Sequence, residues 1–116
     1  MEIFTSYYGN VKNVPEHFKL ICISRTMPSW LDRSIIAIDE AKPSPALFKK
    51  CRAGLLSYEQ FAKAYRDQIW WDLPDIFSQL TNRSILLCWE ASDDHCHRKI
   101  LANELNRQYD LCIREF

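Results

Sequence analysis

Glycine is scarce in this chain, and its scarcity excludes two common kinds of phosphate-binding site. Only Gly9 and Gly54 occur among the 116 residues. A P-loop and a dinucleotide-binding fingerprint each place several glycines in one short turn, so that backbone N–H groups can approach a phosphate closely. Two isolated glycines build neither motif. Any phosphate site in this chain would therefore depend on side chains and on a helix N-terminus.

Net charge and long apolar runs are also lacking. Fifteen Lys and Arg residues balance fifteen Asp and Glu residues, so the net charge does not support nucleic acid as a partner. Nucleic acid would have to bind through a local basic pocket. No apolar run approaches the ~20 residues of a membrane-spanning helix. Residues 1–10 lack the basic start and apolar stretch of a signal peptide. We therefore expect a cytoplasmic protein with no membrane partner.

The cysteines form no recognisable pairing pattern. There are five of them, an odd number, and none stands in a Cys-x-x-Cys pair. This usage predicts a reduced protein without a disulfide framework. Cys22, Cys88 and Cys112 lie in apolar, strand-like runs, and we expect all three to be small core residues.

The remaining composition is that of one globular domain over residues 1–116, because 47% of the residues are apolar. Ser57 and Gln60 have the spacing of a capping box that starts a helix. Strands are expected at residues 2–8, 18–24, 85–89 and 111–114, with 34–39 as either a further strand or a packed segment. Helices are expected at residues 46–52, 57–69, 75–80 and 94–109. Strands separated by helices predict an α/β fold with a mostly parallel sheet of four or five strands and helices on its faces, in a Rossmann-like three-layer arrangement.

Reactive side chains are densest where the strand at 85–89 gives way to the last helix. Glu90 follows the strand directly, and Cys96, His97 and Arg98 open the helix. In open α/β sheets, ligands bind outside the carboxyl ends of the strands. The unpaired N–H groups and positive dipole of a helix N-terminus, together with an imidazole and a guanidinium, suit a phosphate or carboxylate.

The other strand ends supply matching groups. Thr5, Ser6 and Tyr7 end the first strand, and Arg25 follows the second. In a parallel sheet these ends meet at one edge, so we expect these four residues and Arg98 to contact a ligand in a shared crevice.

Three of the residues at this junction can carry chemistry. Glu90 and His97 are candidate proton carriers, and Cys96 is a candidate nucleophile whose pKa a helix N-terminus would lower. Structural alternatives exist for each group: Asp93 and Asp94 would cap the helix, Glu90 would pair with an arginine, and Cys96 would pack against the strand.

Neither a metal nor another cofactor is predicted. Cys88, His95, Cys96 and His97 are nominal zinc ligands. However, adjacent positions do not easily converge on one tetrahedral ion, and the sequence has no second pair at ligand spacing.

Three motifs carry a resemblance that spans nearly the whole chain. They are TSYYGN at residues 5–10, ISRTMPSW at 23–30 and, above all, LLCWEASDDHCHRKILANEL at 86–105. With these motifs the chain resembles the YeaO-like family of domains of unknown function, whose signature is Cys-x-Glu at a strand end and Cys-His-Arg at a helix start. The resemblance implies a compact α/β domain with the motif residues at one end of the sheet, and it implies no particular activity.

Two functions follow as expectations. The first is an enzyme that acts on a nucleotide, a nucleic acid or another phosphorylated ligand, since a His, a Glu and a thiol together exceed what anion binding requires. The alternative is a non-catalytic module that binds a ligand or a protein, in which the Cys-x-Glu and Cys-His-Arg residues form a structural polar clasp.

Overall fold

The computed structural model describes residues 1–92 and 95–116. The helix-capping role expected of Asp93 and Asp94 lies outside the described residues. The strands are β1 (Ile3–Tyr7), β2 (Lys19–Cys22), β3 (Ile35–Ala37), β4 (Ser84–Cys88) and β5 (Arg114–Glu115). The α-helices are α1 (Pro45–Arg52), α2 (Tyr58–Trp70), α3 (Leu73–Ser78) and α4 (His97–Tyr109), and short 3₁₀ helices span Tyr8–Asn13 and Asp39–Ala41.

The five strands form one parallel sheet in the order β3-β2-β4-β1-β5. The central strand β4 pairs with β1 on one side, where Tyr7 is opposite Cys88, and with β2 on the other, where Cys22 is opposite Leu87. All five residues of β4 are buried, as expected of a parallel strand that is covered on both faces. The predicted α/β fold with a parallel sheet is confirmed.

The two faces of the sheet are covered differently. Leu86 packs in a cluster to which all four α-helices contribute, whereas its neighbours Ile85 and Leu87 pack in a second cluster on the opposite face. That second face is covered by the 3₁₀ helix Tyr8–Asn13 and by the chain up to Phe18. The α-helices therefore lie on one face, and the third layer is 3₁₀ helix and loop.

The helix starts follow from local sequence. Ser57 accepts a hydrogen bond from the backbone N–H of Gln60, and the Gln60 side chain accepts one from the N–H of Ser57, which completes the predicted capping box. Ser44 caps α1 by accepting a hydrogen bond from the backbone N–H of Leu47, and Pro45 occupies the first turn of that helix. The apolar stripe along α2 is buried at Phe61, Ala62, Tyr65 and Ile69.

The last strand differs from its prediction. It forms at Arg114–Glu115 instead of residues 111–114, because Asp110 ends α4 in a left-handed conformation and the chain needs the next residues to return to the sheet. The Asn106 side chain fixes that return with two hydrogen bonds to the backbone of Ile113, of 2.9 and 2.7 Å. Cys112 is exposed in this return segment, so its predicted place in the core is wrong.

In the part of the chain that the structure describes, none of the helices combines the length and the apolar character needed to cross a membrane.

Candidate functional site

A cleft of about 320 Å³ opens at the carboxyl ends of β2 and β4. Its floor holds Cys88, Glu90, Cys96 and His97, which come from the end of β4 and the start of α4. Arg25 follows β2 and lines the same cleft. The opposite wall comes from α1 and the start of α2 and is largely apolar and aromatic; its residues include Phe48, Arg52, Tyr58 and Phe61.

His97 is anchored to the end of β2. Its Nε2 lies 2.6 Å from the carbonyl oxygen of Ile23, and because a carbonyl only accepts hydrogen bonds, Nε2 carries the proton. Nδ1 then presents a lone pair toward the Cys96 sulfur, 4.0 Å away. Burial and, to a smaller extent, the nearby Arg98 charge lower the pKa of His97 to about 4, against the opposing effect of the Ile23 hydrogen bond. His97 is thus an uncharged base at neutral pH.

Cys88 and Cys96 converge from opposite sides of the loop that joins β4 to α4. Their sulfur atoms are in direct contact, which the number and spacing of the cysteines did not predict. The Cys96 sulfur also lies 3.3 Å from Oε2 of Glu90. The ligand atoms of Cys88, Cys96 and His97 all lie within 4.8 Å of one another.

The backbone explains why adjacent Cys96 and His97 can point to one place. Cys96 is the N-cap of α4 and is extended (φ −115°, ψ 144°), whereas His97 is the first helical residue. This change of backbone direction between them turns both side chains toward Cys88. The ligand atoms of these two neighbouring residues therefore lie close to each other and to the Cys88 sulfur.

Arg98 is fully buried on the other side of β4 and donates only to protein atoms in the described structure. Its Nη1 donates to the Cys88 sulfur (3.0 Å) and to the Glu90 carbonyl (2.6 Å). Its Nε and Nη2 donate to the two carboxylate oxygens of Glu115, at 3.1 and 2.8 Å. Thr5 completes this network, since its hydroxyl donates to Glu115 over 2.6 Å. We call Arg98, Glu115 and Thr5 the Arg98 clasp.

Two further predicted contacts lie beside the clasp, away from the cleft. Ser6 is buried and accepts a hydrogen bond from the side chain of Asn10. The Tyr7 ring faces the Arg98 guanidinium at 6.0 Å. Thr5, Ser6, Tyr7 and Arg98 are not among the residues that line the cleft.

Arg25 has a different environment. Its Nε is buried and has no hydrogen-bond partner within the described residues, although the side chain lines the cleft. Buried polar atoms without a partner are rare, and each one calls for an explanation.

The predicted site residues therefore separate into two groups. Arg25, Glu90, Cys96 and His97 share the cleft, whereas the remaining four lie toward β1 and β5. The separation arises because consecutive helical residues point about 100° apart. His97 accordingly reaches β2, and Arg98 reaches β5.

Sequence reasoning missed Glu115 and the wall formed by α1 and α2. Glu115 carries no local signal, because its role depends on β5 pairing with β1. The wall had a partial signal: an N-cap at Ser57 followed by Tyr58 places an aromatic residue at a helix start. There the Tyr58 ring lies 4.7 Å from the His95 ring at the rim of the cleft.

A larger depression, of about 1010 Å³, lies around the 3₁₀ helix that follows β1 and is less suited to chemistry. Its Arg33 guanidinium is engaged by backbone carbonyls, including those of Val14 (2.9 Å) and Pro15 (3.0 Å). Arg33 thus holds the loop in place, and the cleft beside Arg25 remains the candidate site.

Compared with known proteins, the chain matches no family model, no curated protein and no solved structure. The function must therefore be argued from its own residues.

Proposed function

We propose that this protein is an enzyme that binds a small phosphorylated ligand, of nucleotide size and chemistry, in the cleft beside Arg25. The observation that carries the proposal is the Arg25 side chain, which lines that cleft and whose buried Nε has no hydrogen-bond partner among the described residues. A guanidinium with a free donor pairs well with the oxygens of a phosphate, because several N–H groups can bond to the anion at once.

The rest of the lining supports a ligand with both a charged and a flat apolar part. Arg52 adds a second positive charge to the cleft, and Phe48, Tyr58 and Phe61 offer aromatic surface. Aromatic side chains stack on nucleobases, and cleft volumes above about 300 Å³ are typical of small-molecule sites.

The enzymatic part of the proposal depends on the cleft floor. Glu90 would transfer a proton, and His97 would serve as an uncharged base. Cys96 lies between them and is the candidate nucleophile. Anion binding alone needs none of these groups. A reduced, cytoplasmic setting is part of the proposal and is supported by the free thiols of Cys22, Cys51 and Cys112.

A second candidate function follows from Arg98. Its guanidinium donates to the Cys88 sulfur, to the carbonyls of Glu90 and Ala91 and to both carboxylate oxygens of Glu115. The clasp therefore fits a non-catalytic binding module in which Arg98 holds β4, α4 and β5 together. Membership of the YeaO-like family remains a proposal alongside both functions, since its motif residues gather at one end of the sheet.

Thermal-shift titration with inorganic phosphate, pyrophosphate and a panel of nucleotides tests the main proposal. At least one compound should raise the melting temperature. Arg25→Gln should weaken its binding about 10- to 100-fold, as expected for the loss of a charge-assisted hydrogen bond. Arg66→Gln is the matched control, because Arg66 is exposed on α2 and does not line the cleft. If no compound stabilises the protein, or if both variants lose binding equally, the proposal fails.

A further inference from the structure

We propose that Cys88, Cys96 and His97 bind one Zn²⁺ ion at the floor of the cleft, through two thiolates and the Nδ1 atom of the imidazole. The three ligand atoms lie within 4.8 Å of one another, and all three residues are buried. Two soft thiolates with one imidazole form a ligand set that favours zinc over the harder Mg²⁺ and Ca²⁺ ions.

The histidine is already oriented as a metal ligand. Its Nε2–H donates to the Ile23 carbonyl over 2.6 Å, which fixes the ring and leaves Nδ1 free to bind. Metal-bound histidines almost always donate their other ring N–H to a carbonyl, a carboxylate or water in this way.

The Cys88 sulfur also accepts a hydrogen bond of the kind that stabilises a metal-bound thiolate. Nη1 of Arg98 donates to the Cys88 sulfur over 3.0 Å, and Arg98 is held in turn by the carboxylate of Glu115. A guanidinium donor stabilises a thiolate, and a donor to a ligand atom tunes the affinity of the site for its metal.

The spacing of the two cysteines favours a shared ion over a covalent bridge. Their Cα atoms are 7.8 Å apart, beyond the roughly 4.4–6.8 Å of disulfides. Zn–S bonds of about 2.3 Å in a tetrahedron would hold the two sulfur atoms about 3.8 Å apart, so the side chains would separate from their direct contact when the ion binds. This wider bridge accommodates the observed separation of the backbones.

Three protein ligands leave a fourth position, which is the arrangement of catalytic zinc sites. Cys88, Cys96, His97 and Glu90 all line the cleft, so a water molecule or a ligand oxygen can occupy that position. Glu90 is next to it, with Oε2 3.3 Å from the Cys96 sulfur. The ion would add positive charge where we propose that an anion binds, and in this respect it rests on the proposed function, although metal binding itself does not require that function. With Cys96 and His97 held as ligands, the proton transfer would fall to Glu90, and a metal-bound water would take the place of Cys96 as the nucleophile.

The binding step involves no electron transfer. Two thiols lose their protons to solvent and the ion takes both sulfur atoms and the neutral imidazole as ligands, so that the two thiolate charges balance Zn²⁺.

Thiol counting provides the first test. Protein purified without oxidation, then denatured in a chelator without reductant, should show all five of its cysteines as free thiols. A count of three would indicate a Cys88–Cys96 disulfide and would overturn the proposal.

Cobalt titration provides the second test. Reduced, metal-free protein should bind one equivalent of Co²⁺ with thiolate-to-metal charge-transfer absorption, and Zn²⁺ should displace it. Cys96→Ser should weaken binding at least about 100-fold, and it should fold because serine is a good N-cap. Cys112→Ser is the matched control, since Cys112 is an exposed free thiol that does not line the cleft. Absence of the charge-transfer band in folded wild-type protein, or its equal loss in both variants, would overturn the proposal.

The two proposals can fail separately. Metal binding is measured without any phosphorylated compound, whereas anion binding is measured by its dependence on Arg25. Cobalt binding with no response to phosphate or nucleotides would leave the zinc site and remove the proposed function. A response to phosphate or nucleotides without cobalt binding would leave the proposed function and remove the zinc site.

Discussion

Arg98 and Glu115 form a two-pronged ion pair between the first turn of α4 and the last strand, with Nη2–Oε2 and Nε–Oε1 distances of 2.8 and 3.1 Å. The arginine side chain is completely buried, and the carboxylate is 29% exposed. Thr5 adds a third element to the pair, since its hydroxyl donates to the same carboxylate. One interaction thus fixes α4 and β5 against β1.

Removal of the carboxylate should therefore be costly. Glu115→Ala leaves the Arg98 charge buried with only neutral acceptors, so we expect a loss of about 2–4 kcal/mol in the free energy of unfolding. Urea denaturation measures this loss. Asp67→Ala breaks the exposed Lys63–Asp67 pair on α2 and should cost less than about 0.5 kcal/mol. Equal effects of the two substitutions would contradict the structural role of the clasp.

High pH should destabilise the protein through two buried phenols. Burial raises the pKa of Tyr65 and of Tyr8 above the ordinary value near 10. Both phenols keep their protons in the folded state and lose them on unfolding, so stability is complete below about pH 10 and falls as the pH rises further.

Phenolate absorbance under native conditions checks the alkaline prediction. Tyr65→Phe should leave the native titration unchanged, because Tyr65, which donates to the Ala41 carbonyl, ionises only after unfolding. If the substitution removes one phenolate from the native titration, the prediction is wrong.

The capping box should contribute measurably to stability at the rim of the cleft. Ser57→Ala removes the acceptor for the N–H of Gln60 and should cost about 1 kcal/mol. Ser29→Ala, at an exposed position outside the helices and strands, should change stability by less than about 0.5 kcal/mol. Thermal or urea unfolding of both variants tests the difference, and a Ser57→Ala variant as stable as Ser29→Ala would refute it.

The cysteines should differ in their reactivity with an alkylating agent. Cys51 and Cys112 are exposed and Cys22 is buried, so two thiols should react at least about 10-fold faster than Cys22, whose modification requires local opening. Mass spectrometry of the native, reduced protein identifies the labelled positions. Early labelling of Cys22 would contradict its burial beneath the 3₁₀ helix Tyr8–Asn13.

Local sequence determined much of the framework. The sequence predicted the apolar run that forms β4, its end at the polar Glu90 and the capping box before α2. These features were predictable because hydrophobic periodicity and helix caps act over a few neighbouring residues. The same reasoning identified Cys96, His97 and Arg98 at the start of a helix and Arg25 after a strand.

Only the tertiary structure decided how those residues combine. Because β4 lies between β1 and β2, the His97 side chain reaches the end of β2 and the Arg98 side chain reaches Glu115. The residues predicted to line one pocket therefore divide between the cleft and the Arg98 clasp. The contact between Cys88 and Cys96 depends on the extended backbone of Cys96 at the start of α4. The ion pair of Arg98 with Glu115 depends on the pairing of β5 with β1. Such contacts join residues that are distant in sequence, and no local pattern records them.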